Sequence, residues 1–250
     1  EESPWFGPPY LGSRILTGQM TETELAATHR GDGRTLAAHL ADLGIPLDMI
    51  RAGQPTIDLS RIRAYVELHI EQGPALIADR APIATVSGIR GNLRHRAVIC
   101  TGTAGHSGAV PQALRHDAVQ AVAELVGRME AHALDWTAEG RDIVFTCGMF
   151  TTDPARHAIT RIADEVAFSI DLRSLDEGVL DRFHALLLDE MAAIADRRGV
   201  AFAPDPLQRA RPARCDAELV EAMKLAMLRR RIRPVVMASG AGHDAAVFAQ

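Results

Sequence analysis

Two periods alternate along the chain. In 64–70, AYVELHI, the positions Ala64, Val66, Leu68 and Ile70 share one side, and Tyr65, Glu67 and His69 share the other, with Glu71 next in that series. Period two predicts a strand, ending at Gly73-Pro74. Residues 166–173 alternate in the same way, Val166, Phe168, Ile170 and Leu172 against Ser169, Asp171 and Arg173. Helical spacing instead joins Ala118, Val119, Val122, Leu125, Val126 and Met129, and again Leu219, Ala222, Met223, Ala226 and Met227. A shorter helix carries Leu36, Leu40 and Leu43, with Asp32 as its expected cap and Gly44 as its stop. Ser174-Leu175-Asp176-Glu177 reads as a capping box for a helix through about Ile194, and Gly199 follows its end. Further strands are expected over 96–101, 143–150, 200–203 and 235–238, while 1–20, rich in Gly, Pro and aromatics, reads as a packed irregular segment.

The order β-α-β-β-α-β between 96 and 203 predicts a four-stranded antiparallel sheet with two helices on one face. The expected fold class is therefore an α/β domain interrupted by an α+β insertion. Its parts are residues 1–83, the inserted residues 84–203, and residues 204–250.

Composition narrows the function classes. Of 250 residues 47% are hydrophobic and 24% charged, which is ordinary for a globular protein. A formal charge of −5 argues against nucleic-acid and membrane-surface partners. Three widely separated cysteines, Cys100, Cys147 and Cys215, indicate neither a disulfide framework nor a cysteine metal cluster, and a cytoplasmic location is expected.

Five segments carry candidate chemistry. Tyr65, Glu67, His69 and Glu71 on one polar side suit a borderline divalent cation, although by spacing alone a wet strand face is the commoner reading. Adjacent carboxylates such as Glu1-Glu2 can divide metal binding and proton abstraction, although surface pairs of this kind are common. Gly105-His106-Ser107-Gly108 lacks the Lys-Ser/Thr of a phosphate loop. His106 there reads as an oxyanion donor or as a turn residue, and Ser107 is too close to it to form a nucleophile–base pair. Arg173 reads as a carboxylate fork or as the partner of Asp171. Ser239-Gly240-Ala241-Gly242-His243-Asp244 is a small-residue loop at a strand's C-terminal end, where α/β domains place ligand contacts. The run Arg229-Arg230-Arg231 suits a helix C-terminus.

Taken in order, Glu1-Glu2 with Phe6, the block Glu67-Leu68-His69-Ile70-Glu71-Gln72-Gly73-Pro74, His106 with Pro111 and Arg115-x-Asp117, Phe168-Ser169-Ile170-Asp171-Leu172-Arg173, and Ser239 through Ala245 resemble one family. It is that of the N-carbamoyl-L-amino-acid and allantoate amidohydrolases, within the aminoacylase and carboxypeptidase-like dinuclear metallopeptidases. The resemblance implies hydrolysis of a linear amide or ureido C–N bond with two divalent metal ions, Zn, Mn or Co. It implies Glu1 as general base, Glu2 and His69 as metal ligands, and His106 as the oxyanion donor reaching a partner subunit. Gln72, Arg173, Gly240 and His243 match substrate-binding positions, Arg173 for a substrate carboxylate. The inserted domain is the family's dimerisation unit, so a homodimer is implied.

Departures from the family pattern concern substrate identity: Thr160 stands where an Asn is usual, Ala163-Asp164 where Pro-Gly is usual, and Trp5 where an Arg is usual. The His106 loop also differs, running Ser107-Gly108-Ala109-Val110-Pro111. The family's His-x-Asp segment and its last histidine ligand are not among these residues. The expectation is a polypeptide truncated at both ends, metal-poor and inactive as written. Two rivals remain: an aminoacylase or peptidase on the same fold, and a non-catalytic dimeric binding protein.

Overall fold

The structure is a computed structural model that describes residues 5–249. The chain divides into two compact units, Arg90–Pro212 and the remainder, Glu1–Ile89 with Ala213–Gln250. The boundaries differ from the expected 84 and 203 because strand pairing sets them. Thr85–Ile89 pairs with Ala213–Arg214 and with Val236–Ser239 in the outer unit. Gln208–Ala210 pairs with Gly91–Thr101 in the inner one.

The inner unit is an antiparallel sheet with two long helices. Its strands run in the order Val144–Thr146, Glu165–Ser174, Gly91–Thr101, Ala201–Pro204. Phe150–Thr151 and Gln208–Ala210 extend the two central strands, so the sheet has six strands rather than the expected four. In Glu165–Ser174 every second residue is buried, Val166, Phe168, Ile170, Leu172 and Ser174, which matches the alternation in sequence.

Both helices begin on an aspartate. Asp117 accepts from the backbone N–H of Val119 and Gln120 to open Ala118–Ala138. Asp176 accepts from Val179 N–H to open Glu177–Arg198. The expected Ser174–Glu177 capping box does not form, because Asp176 takes the cap and the Ser174 hydroxyl accepts from Asp176 N–H instead. Gly199, at φ 64°, closes the second helix in the left-handed region. Leu125 and Met129 from one helix meet Leu180, Phe183 and Leu187 from the other over Phe168 and Leu172, all nearly fully buried. Glu190 lies between the helices, 7% exposed, held by Arg128 at 2.6 and 2.8 Å and by His132 at 2.9 Å. The Arg128 hydrogen bonds keep its carboxyl below the usual range.

A histidine pair is expected to make this unit acid-sensitive. His95 Nε2 meets His184 Nε2 at 3.0 Å, and His95 Nδ1 donates to Asp205 O at 2.8 Å. Burial, and then the neighbouring His95, push the His184 pKa below 6.5. Unfolded chains thus take up this proton first, and the stabilisation is complete above pH 6.5 and lost as pH falls through the lower folded value. In a Trp5→Phe background, the urea midpoint read by Trp136 is expected to drop between pH 7.5 and pH 5.5, by less in His184→Gln. A midpoint independent of pH across that window excludes the histidine pair as the cause.

The outer unit has a smaller apolar cluster, Met20, Leu25, Leu36, Leu40 and Ile50. Thr35, not Asp32, caps Leu36–Asp42, accepting from Ala38 N–H at 3.2 Å. Gly44 follows at φ 72°, as its position predicts. Residues 62–71 form no strand, which corrects the reading of AYVELHI. The segment has no β partner among the described residues, so Val66, Leu68 and Ile70 are 61%, 89% and 73% exposed. Among the described residues no helix is long and apolar enough to cross a membrane.

Candidate functional site

In the outer unit, the 64–72 segment and the 239–245 loop come together. The rings of His69 and His243 stack at 4.1 Å and 11°. Glu67 accepts from Ala245 N–H at 2.9 Å, and Tyr65 stacks on Phe248 at 4.2 Å. The loop is held from below, where Ser13 Oγ donates to Asp244 Oδ1 at 2.6 Å. Gly242 permits its close approach, since a Cβ there would sit 1.5 Å from Tyr10 Oη.

His243 is buried, and Ser239 Oγ lies 2.8 Å from its Nε2. Burial, and then the charge of His69, lower its pKa below 6.5, with Glu67 and Asp244 opposing. The Ser239 contact to His243 was not singled out in the sequence reading, although the i, i+4 spacing of the two residues was a signal for it. Gly240 lies in the same loop.

His69 is exposed, and its Nδ1 donates to Ile70 O at 2.6 Å. A carbonyl only accepts, so Nδ1 carries a proton, and in the neutral ring the lone pair is on Nε2. That is the arrangement of metal-ligating histidines, whose second nitrogen donates to a backbone oxygen. The donor chemistry of His69 thus fits a borderline divalent ion. Glu71 does not face such a site: its carboxylate accepts from Ala75 N–H at 2.7 Å and Leu76 N–H at 3.0 Å, starting the short helix Ala75–Ala78. Gln72 sits at the turn before it, at φ 55°. Glu1 and Glu2 lie outside the described residues.

The inner unit carries the other candidates. Gly105–His106 pairs with Arg161–Ile162, and Ser107 N–H donates to Thr160 O at 2.7 Å. Arg115 fastens the intervening loop, its Nε donating to Val110 O at 3.0 Å and its Nη2 to Ser107 O. The glycines here serve packing, because a Cβ on Gly102 would lie 2.0 Å from His116 O. His106 is exposed and its Nδ1 accepts from Gly108 N–H at 3.1 Å, which leaves the N–H donor on Nε2. Beside it an open groove of about 370 Å³ is lined by His106, Arg156, Thr160 and Arg161. Arg173 Nε and Nη2 both reach Asp171 Oδ2, at 3.0 and 2.7 Å, so the strand-face ion pair is present.

Residues 87–198 match the peptidase dimerisation domain family. The whole chain is 28% identical to an N-carbamoyl-L-amino-acid amidohydrolase of Pseudomonas sp. (strain NS671), covering 100% of this chain and 59% of that protein. It is 31% identical to a probable allantoate deiminase of Oryza sativa subsp. japonica, covering 100% of this chain and 55% of that protein. A hydantoinase/carbamoylase family amidase structure from Burkholderia multivorans superposes with TM-score 0.86 at 30% identity, over 100% of this chain and 58% of that one. The family resemblance carried by the motifs is borne out. The chain spans a little over half the length of these relatives.

Proposed function

We propose that the protein hydrolyses a linear amide or ureido C–N bond in an N-carbamoyl amino acid, a ureidopropionate or an allantoate-like substrate, with two divalent metal ions. The opposite tautomers of two histidines carry this reading. His69 offers a lone pair at Nε2, and His106 offers an N–H at Nε2. One is suited to hold a cation, the other to donate to an oxygen that becomes negative.

In this reading Glu2 would hold one metal ion and His69 the other, and the bound ions would supply Lewis acidity and make water a stronger acid. Glu1 takes the proton from the attacking water, which needs only hydrogen-bond reach. Gln72, Gly240 and His243 position the substrate, and Arg173 turns its guanidinium from Asp171 toward the substrate carboxylate. His106 donates to the tetrahedral oxyanion of a second copy, so the working form is a homodimer built on the inserted residues. The match to a peptidase dimerisation domain supports that assembly. It also keeps an N-acyl or peptide substrate in the comparison.

In the full-length protein supplied with Mn²⁺, Zn²⁺ or Co²⁺, turnover of N-carbamoyl amino acids, ureidopropionate or allantoate is expected. Dialysis against a chelator is expected to abolish turnover, and added metal to restore it. Release of product from N-acyl amino acids or dipeptides alone overturns the ureido assignment. Full activity after chelation overturns the metal.

A further inference from the structure

We infer that His29, Asp32 and His39 form a separate binding site for a borderline divalent ion of the Zn²⁺, Co²⁺, Ni²⁺ or Cu²⁺ class. Among the described residues, these are the three whose metal-ligating atoms all come within 4.8 Å of one another. Two imidazoles and one carboxylate form an N₂O donor set, which favours this class over Mg²⁺ or Ca²⁺. None of the three belongs to the proposed catalytic machinery.

The spacing is that of a coordination shell. His29 Nδ1 lies 3.1 Å from Asp32 Oδ1, and His39 Nε2 lies 3.2 Å from Asp32 Oδ2. With metal–ligand bonds of about 2.0–2.2 Å, a tetrahedral site has ligand–ligand edges of roughly 3.3–3.6 Å, slightly longer than these two separations. Protonated imidazoles would also account for short contacts to a carboxylate, but His29 argues otherwise. The backbone N–H groups of Gly31 and Asp32 both point at its Nδ1, at 3.2 and 3.1 Å, so this nitrogen bears a lone pair. That lone pair also lies 3.1 Å from a carboxylate oxygen, and a metal bound between them would replace the two amide contacts.

The site is built rather than incidental. His29 and Asp32 sit on a turn closed by a Thr28–Thr35 bridge and by His29 N–H donating to Arg34 O at 2.8 Å. His39 follows one turn into Leu36–Asp42. Trp5 stacks on His29 at 5.0 Å, and Phe6 packs against both rings at 5.1 and 5.3 Å, giving an apolar wall on one side. Three protein ligands leave a fourth position for water.

Trp5 reports occupancy directly. In the chain carrying Trp136→Phe, Trp5 is the sole tryptophan, and Co²⁺ is expected to quench it saturably at one equivalent and Zn²⁺ to reverse this. Asp32→Asn and His39→Gln are each expected to weaken Co²⁺ quenching at least about ten-fold, while His69→Ala keeps it. Circular dichroism melts confirm that the variants fold. The inference is overturned by three outcomes: quenching unchanged in both site variants, quenching lost in His69→Ala, or no saturable quenching at millimolar Co²⁺.

Discussion

Replacing His106 with alanine is expected to lower kcat of the proposed hydrolysis by about 10²–10³, with KM changed little. The size follows from what the group does. Its Nδ1 is occupied by Gly108 N–H, so Nε2 carries the proton, and His106 lines the groove with Arg156, Thr160 and Arg161. A donor held in place before reaction needs no reorganisation as charge develops, so its contribution belongs to the transition state rather than to substrate binding. The same geometry predicts that folding is spared. His106 is exposed, and the loop is fastened by Arg115 and by Ser107 N–H to Thr160 O, neither of which uses the imidazole. Unfolding free energy should therefore stay within the range of ordinary surface substitutions, about ±0.5 kcal/mol. Steady-state kinetics on the whole protein decide the matter. A rise in KM at constant kcat would make His106 a ground-state contact and remove it from the oxyanion.

How far the sequence discloses this molecule depends on the range of each interaction. The inner unit was legible because its pattern is local and its partners follow in order. The alternation of 166–173 survives as a buried and a half-exposed face, and the helical stripe of 118–129 survives as core. Its edges were not legible, since Gln208–Ala210 pairs with a strand more than a hundred residues earlier. Alternation failed as evidence for a strand in 64–70, where Leu68 and Ile70 are exposed, because period two describes faces and supplies no neighbour to pair with. It still put Glu67 and His69 on one side, and both do meet the 239–245 loop.

Local chemistry misled in a different way. Asp32 has the right residue type for a cap, but Thr35 sits at the residue just before the helix, and the aspartate turns to the two histidines instead. Three residues spaced His-x-x-Asp-x₆-His match no familiar ligand spacing, so nothing in the sequence drew them together. Arg173 shows the opposite case. Both readings of it were drawn from one alternating strand, and its pairing to Asp171 is compatible with later exchange for a substrate carboxylate.

Phe183→Ala is expected to destabilise the inner unit by about 3–5 kcal/mol, the largest effect on folding foreseen for a single truncation here. Phe183 is fully buried on Glu177–Arg198, where the two helices and the sheet converge. Its ring meets Trp136 edge-on at 5.0 Å and lies 6.5 Å from Phe145, so truncation removes aromatic contacts as well as buried area. The neighbours have little freedom to close the gap. Leu125, Leu180 and Leu187 are fully buried in the same cluster, and the strands behind them are fixed by antiparallel pairing. The lost transfer free energy and the residual cavity therefore add, rather than being relaxed away. A drop of roughly 10–20 °C in the melting temperature of this unit corresponds to that energy. Ile159→Ala is the matched control, since Ile159 is 104% exposed and its truncation should leave the midpoint unchanged. Equal shifts in the two variants would mean that the cluster around Phe183 does not act as the cooperative core of the unit.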